Sequence, residues 1–349
     1  MQERKGDEST VLYELPVFEH ADAESVQEAV FWLEKWGNEA RVIAGGTDLL
    51  GIMKDRLEGP QLKTPKVLIN VKNIAEMKRI DHDDESGLRI GAAVTLNQLE
   101  ASDLIRKRFS ILSQAACQIG TTQIRNMGTV GGNLCQRPQC MYFRHPDFPC
   151  YKKGGRTCYA VKGEHRYDHS VINYRKCVMA HPSDMAPALI ALKADAIIAT
   201  SNGERKVPLQ DFFLAPNDYS ETVLKPGEFL VEIQVPDEGS KTNQLFLKHR
   251  IRHASDFALA SVAVVAEMSE GIVQDIRIVM GGIAPSPYVA DGTQEIINGK
   301  GLDAKLISRA AKASLEGARP LPLNGYKIDL AKALVKRALE LILKQIPPA

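Results

Sequence analysis

The stretch Gly120 to Asn133 constrains this chain most: four glycines fall within 14 residues, a density that rules out regular structure throughout. An earlier turn, Ala44-Gly45-Gly46-Thr47-Asp48, follows the short predicted strand Arg41-Val42-Ile43 and precedes a predicted helix. Glycine lets a backbone approach a ligand closely and turn its N–H groups inward, which suits an anion such as a pyrophosphate. Neither loop matches the Walker pattern or the dinucleotide pattern G-x-G-x-x-G. Taken singly, each is equally well explained as a tight turn without a ligand.

Around these loops the pattern is mixed α+β. Apolar residues at helical spacing (Val26, Ala29, Val30, Leu33) predict a helix over about 24–35. Val67 to Val71 and Leu88 to Val94 read as strands, and Ile105 to Ile119 as one helix. From Leu134 to Cys177 neither helical nor strand periodicity is present, so this segment reads as an inserted loop organised around something other than a core. Regularity returns with a helix at Asp184 to Leu192, strands at Ala196 to Thr200 and Phe229 to Val235, and a turn at Ser201-Asn202-Gly203 between them. Three β-rich runs from Leu245 and two helical runs, about Ala304 to Gly317 and Leu330 to Gln345, then predict a separate α+β domain. The expected division is a disordered arm at 1–10, a ligand-binding domain at 11–240 carrying the insertion at 134–180, and a C-terminal domain at 241–349.

The insertion holds Cys140, Cys150, Cys158 and Cys177, spaced C-x9-C-x7-C-x18-C. Four thiolates can hold a [4Fe–4S] cluster or a structural zinc, and the count does not choose between them. No paired C-x2–4-C knuckle occurs among the four, which weighs against zinc. Cys135, beside the second glycine loop, and Cys117, expected to be buried on the preceding helix, are left out of the set. The cations Arg144, Lys152, Lys153, Arg156, Lys162 and Arg166 fit either a surface that docks an acidic electron carrier or an ordinary solvated loop.

Composition limits the alternatives. With 44 basic and 43 acidic side chains the formal net charge is +1, which offers no broad electrostatic footprint for nucleic acid or an anionic membrane. No apolar run reaches transmembrane length, and the polar first ten residues do not read as a signal peptide. A cytoplasmic, reducing location is expected.

Four motifs in order, Ile43 to Leu49, Thr129 to Leu134, His181-Pro182-Ser183-Asp184-Met185-Ala186 and Gly281-Gly282-Ile283-Ala284-Pro285, resemble the FAD-binding subunits of the xanthine dehydrogenase family over nearly the whole chain. The resemblance implies a two-subdomain FAD-binding domain of the vanillyl-alcohol-oxidase/PCMH type, followed by a C-terminal α+β domain of a three-stranded sheet with helices. It implies FAD contacts from Val42, Ile43, Ala44, Gly45, Gly46, Thr47, Asp48 and Leu49 and from Thr129, Val130, Gly131, Gly132 and Asn133. Ile119 would give an apolar contact, Asp184 would reach the adenosine side, and Leu230 and Lys248 would flank the flavin. Residue chemistry leaves Ile119 and Leu230 equally readable as core, and Asp184 as a helix N-cap.

About fifty residues separate Asn133 from Asp184, more than in the simpler members. The insertion resembles the branch of the family that includes 4-hydroxybenzoyl-CoA reductase, and implies a [4Fe–4S] cluster on Cys140, Cys150, Cys158 and Cys177. The implied role is electron transfer within a complex with a molybdenum-cofactor large subunit and a [2Fe–2S] small subunit, with a ferredoxin-like protein as a further carrier. A self-contained FAD-dependent oxidoreductase is the alternative, disfavoured because no separate substrate domain is apparent.

Overall fold

The computed structural model of the chain describes residues 15–214, 218–237 and 242–345; the arm expected at 1–10 lies outside them. Three sheets organise the chain. The first is parallel, in the order β1 (Glu19–Asp22), β3 (Val67–Asn70), β2 (Ala40–Ile43). Helix α1 (Val26–Trp36) starts where the Ser25 side chain accepts from the Glu28 amide. It buries Val26, Ala29, Val30 and Leu33, the four positions picked out by periodicity, and packs on β2 and β3. The short α2 (Leu49–Lys54) follows the first glycine turn.

The second sheet is antiparallel, in the order β4 (Ile80–Asp83), β5 (Gly87–Gly91), β8 (Phe229–Val235), β6 (Asp195–Thr200), β7 (Gly203–Pro208). Between β5 and β6 run α3 (Leu96–Ala101), α4 (Asp103–Arg108), α5 (Ser110–Ala116), α6 (Thr122–Met127), α7 (Val130–Leu134) and α8 (Met185–Ala191), and α9 (Leu209–Phe212) lies between β7 and β8. The single helix expected from Ile105 to Ile119 is therefore broken. Phe109, fully buried at φ −129° and ψ 47°, leaves helical geometry to enter the core. The Gln244 side chain repairs the break, donating to Arg108 O at 3.0 Å and accepting from Ile111 N at 3.2 Å. A side chain more than 100 positions away supplies those bonds, so no local pattern announces the break.

The third sheet runs β12 (Tyr288–Val289), β11 (Ile272–Gly281), β10 (Ala260–Ser269), β9 (Thr242–His249), all antiparallel. It is the expected three-stranded sheet with a two-residue edge strand added. Helices α10 (Asp291–Ile297), α11 (Ala304–Ala313) and α12 (Tyr326–Gln345) cover it, and α12 packs against β9 and β10. Alternate residues of β10 serve different cores: Ala263 and Val265 join the core of the first two sheets, whereas Val262 and Val264 join the C-terminal one. Both faces of that strand are thus covered, and the strand reads as a continuous apolar run.

Candidate functional site

The expected irregular second loop is in fact two short helices with a break at Gly128. Threonines make this regularity affordable among glycines: Thr121 Oγ1 accepts from Ile124 N at 3.3 Å, and Thr129 Oγ1 from Gly132 N at 3.1 Å, each at a helix N-cap. The two glycine loops meet backbone to backbone. A Cβ on Gly45 would stand 2.0 Å from Met127 O, so only glycine lets the first turn lie against the end of α6. A Cβ on Gly131 would likewise stand 2.7 Å from Ala92 Cβ and 2.9 Å from Ala92 O. A Cβ on Gly132, by contrast, would meet only Thr129 Oγ1, at 3.0 Å.

Gly132 helps line a cleft with a volume of about 380 Å³. Of the residues expected to bind, Thr47, Asp48, Ile119, Thr129, Gly132, Asn133, Asp184 and Lys248 line it together. Ile43 closes β2, Val42 and Ala44 pack on the main core, Gly45 and Gly46 form the turn, with Gly46 at φ +69°, and Leu49 opens α2. Val130 and Gly131 are buried behind the loop. Leu230 pairs with Ile198 in β8 and is buried in the core away from the cleft wall. Sequence reasoning missed Gln136, Gln139 and Arg144 on the insertion side and Ser255, Asp256 and Phe257 after β9, which also line the cleft. The positive φ of +65° at Ser255, whose N–H donates to Gly120 O at 3.3 Å, is not encoded by a glycine and left no signal.

Charge is concentrated in this cleft. Lys248 Nζ lies 2.6 Å from Asp184 Oδ2, with side chains only 1% and 4% exposed. Burial pushes the Asp184 carboxyl up, and Lys248 and Arg250 oppose that rise. Asp184 stands at the N-cap of α8 without making the cap bond; Ser183 Oγ instead accepts from Ala186 N at 3.0 Å, and its hydroxyl donates to Asn133 Oδ1 at 2.6 Å. The carboxylate is thereby left to the lysine.

From Cys135 to Asp184 there is no α-helix or strand, only the 3-10 turns Tyr151–Lys153 and Tyr159–Val161. This insertion nevertheless has its own core, in which Phe143, Ala160, Val178 and Met179 pack with Ile52 of α2 and with Leu57 and Leu62. Cys140, Cys150, Cys158 and Cys177 line one pocket inside it. Backbone amides near each sulfur lower its pKa: those of Phe143 and Tyr142 at Cys140, Lys153 and Lys152 at Cys150, Val178, Ala160 and Val161 at Cys158, and Met179 at Cys177. Amide donors aimed at sulfur stabilise a thiolate more than a thiol. Cys135 is held up at about 12 by burial alone, with no such donor, and Cys117 is exposed, not buried as expected.

Without metal, burial pushes Cys140 up to about 12 and Cys150 upward as well. Cys158 and Cys177 share a hydrogen bond that lowers Cys158, the less buried of the pair, and raises Cys177. Among the described residues no three of these sulfurs lie within 4.8 Å of one another. The inserted cations divide. Lys152 and Lys153 are fully buried, Lys152 on Glu221 at 3.3 Å and Lys153 on His145 O at 2.6 Å. Arg144 pairs with Asp48 at 2.5 Å, so only Arg156, Lys162 and Arg166 remain exposed. The expected six-residue basic surface is halved, because buried acceptors claim the other three.

One stretch of chain separates the two cavities. Gln139 and Arg144 line the cleft, and Pro138, Cys140, Tyr142 and Phe143 line the thiol pocket. Asp48 of the first glycine loop fastens this partition, accepting from Arg137 N at 2.9 Å as well as from Arg144.

Backbone loops converging on a cleft with a buried lysine–aspartate pair suit a bound anionic cofactor, and family comparison identifies the class as FAD-binding flavoproteins. Residues 16–238 match the family described as the FAD binding domain in molybdopterin dehydrogenase, and residues 246–342 the CO dehydrogenase flavoprotein C-terminal domain. The chain is an FAD-binding medium subunit of the CO dehydrogenase/xanthine dehydrogenase molybdenum hydroxylase family, and so the flavoprotein subunit of an oxidoreductase. It is 35% identical over 310 residues to the aldehyde oxidoreductase FAD-binding subunit PaoB of Escherichia coli (strain K12), covering 86% of this chain and 90% of that one. It is 31% identical to the carbon monoxide dehydrogenase medium chain of Hydrogenophaga pseudoflava, over 93% of this chain and 96% of that one. A solved structure of carbon monoxide dehydrogenase from Hydrogenophaga pseudoflava superposes with a TM-score of 0.76 at 28% identity, covering 95% and 99% of the two chains. No helix among the described residues is long and apolar enough to cross a membrane.

Proposed function

We propose that this subunit carries a [4Fe–4S] cluster on Cys140, Cys150, Cys158 and Cys177 beside its FAD, and serves electron transfer between a [2Fe–2S] small subunit and an external carrier. Substrate chemistry belongs to a molybdenum-cofactor large subunit. The observation that carries this reading is one pocket lined by all four cysteines, each with a neighbouring backbone amide that favours its thiolate. When bound, FAD exchanges one or two electrons and the cluster one.

FAD is proposed to lie in the cleft, with Thr47 and Asp48 on one side, Thr129, Gly132 and Asn133 on the other, and Lys248 and Asp184 giving the interior its charge. Leu230 is proposed to act only through the core it fills. The boundary between the two units is proposed at 240/241, just ahead of β9. A ferredoxin-like acidic protein remains the carrier that suits the exposed Arg156 and Lys162, and the free thiols suit the cytoplasm.

The test is the purified chain's absorption and iron content. Flavin bands with a broad dithionite-bleachable shoulder and about four iron atoms per chain are expected. Cys150→Ser and Cys158→Ser should each lose iron and keep flavin. Unchanged iron in either variant, zinc in place of iron, or substrate turnover by the isolated chain would overturn the reading.

A further inference from the structure

His169 belongs to the insertion but has no part in the ligand set. Its ring is 3% exposed, and Nε2 lies 3.3 Å from Cys140 Sγ. The other ring nitrogen, Nδ1, is buried without a hydrogen-bond partner. A neutral imidazole carries one N–H, and an unmet donor in such a place costs more than an unmet lone pair. The proton therefore sits on Nε2, which donates to the sulfur.

The backbone that carries the ring is held from both sides. The His169 backbone bridges Met179, two residues beyond Cys177. Its carbonyl accepts from Lys327 Nζ at 2.9 Å and from Asn324 Nδ2 at 3.4 Å. Lys327 is fully buried and also donates to Tyr167 O and Gly282 O, both at 2.7 Å. Lys327 lies in α12, and Asn324 just before it. The C-terminal unit, which supplies no thiol, thus fixes the main chain of the histidine that hydrogen-bonds Cys140.

We infer that His169 is a positioning residue for Cys140 whose Nε2–H donates to the ligating sulfur and raises the cluster's reduction potential. The inference rests on the [4Fe–4S] reading above. A donor aimed at a ligating sulfur offsets negative charge there, and the reduced cluster carries one more electron than the oxidised one. The hydrogen bond therefore favours reduction.

The experiment is an EPR-monitored redox titration of the full-length protein, with iron and flavin content measured on the same samples. His169→Phe keeps the ring's bulk and removes the donor; its cluster midpoint should fall, with iron content and flavin midpoint unchanged. His169→Gln, whose amide nitrogen reaches the place of Nε2, should stay near the wild-type midpoint. Loss of iron from the Phe variant with retention in the Gln variant would also support a donor role. An unchanged midpoint in His169→Phe, or loss of iron from both variants, would overturn the inference, the latter by making His169 a ligand or a fold element. A wild-type protein without iron would remove the cluster reading itself, a failure separable from the other two.

Discussion

The glycine loops at the proposed flavin cleft are fixed by threonine caps and by main-chain hydrogen bonds of 2.9 Å. Across the Gln139–Arg144 partition, the walls of the thiol pocket are side chains on a segment with no α-helix or strand. The first can be complete before its ligand arrives, since hydrogen bonds of secondary structure hold it. The second brings together thiols of which burial keeps Cys140, pushed up to about 12, and Cys150 protonated, and a metal must displace those protons to bind. Flavin affinity should therefore track fold stability, whereas iron content should track pH and thiol chemistry.

The largest break in this comparison is expected at Lys248. Lys248→Met would leave the Asp184 carboxylate buried and unpaired, and losing one partner of a buried pair costs about 3–5 kcal/mol. Chemical denaturation should register that loss together with loss of bound flavin. Asp184→Asn combined with Lys248→Met should recover much of the stability while flavin stays weak. If the single variant were as stable as wild type, the charge in the cleft would not be held as the geometry implies.

His181 tests the seam between the regions. It is buried between the insertion and α8, its ring 4.6 Å from that of Phe213, and burial, with the charge of Lys152, lowers its pKa to about 3. An unfolded histidine titrates near 6.5. Below that value the unfolded chain takes up a proton that the folded one refuses, so stability is lost as pH falls from 6.5 toward 3. Between pH 7 and pH 4 the loss from this residue is on the order of 3 kcal/mol. His181→Phe should flatten that part of the pH–stability profile; an equally steep profile would assign the acid sensitivity to other groups.

Legibility in the sequence followed the range of the interactions. The more buried strands and α1 were readable because periodicity reports which face is buried, as Val26, Ala29, Val30 and Leu33 illustrate, whereas the mostly exposed edge strands β1, β4 and β7 were not read. The glycine loops and the four cysteines were readable because special residues mark special chemistry. What escaped was set by distant partners. Gln244 mends the α4–α5 break, Glu221 draws Lys152 inward, and Lys327 reaches across to the carbonyl of His169. Leu230 escaped for the opposite reason: an apolar residue in an apolar strand looks the same whether it faces a core or a cofactor. Arg144 was read with the surface cations, although it faces Asp48 in the cleft.

The smallest effect is expected at that last pair, and it bears most directly on whether the two sites are independent. Arg144 and Asp48 are about four-fifths buried, and the guanidinium also donates to Pro138 O at 2.7 Å and Arg137 O at 3.0 Å. Hydrogen bonds to charged groups contribute about 1.5–3 kcal/mol, and partial exposure brings the pair toward the lower end. Arg144→Met should therefore weaken FAD binding by about tenfold, equivalent to about 1.4 kcal/mol, when the flavin-free protein is titrated with FAD. A double-mutant cycle with Asp48→Asn should give a coupling energy well above zero. Because Arg144 belongs to the strip that also carries Cys140, iron content should fall alongside flavin affinity if the partition moves as one body. Weakened FAD binding with full iron occupancy would mean that the cleft and the pocket share a wall but no mechanical coupling.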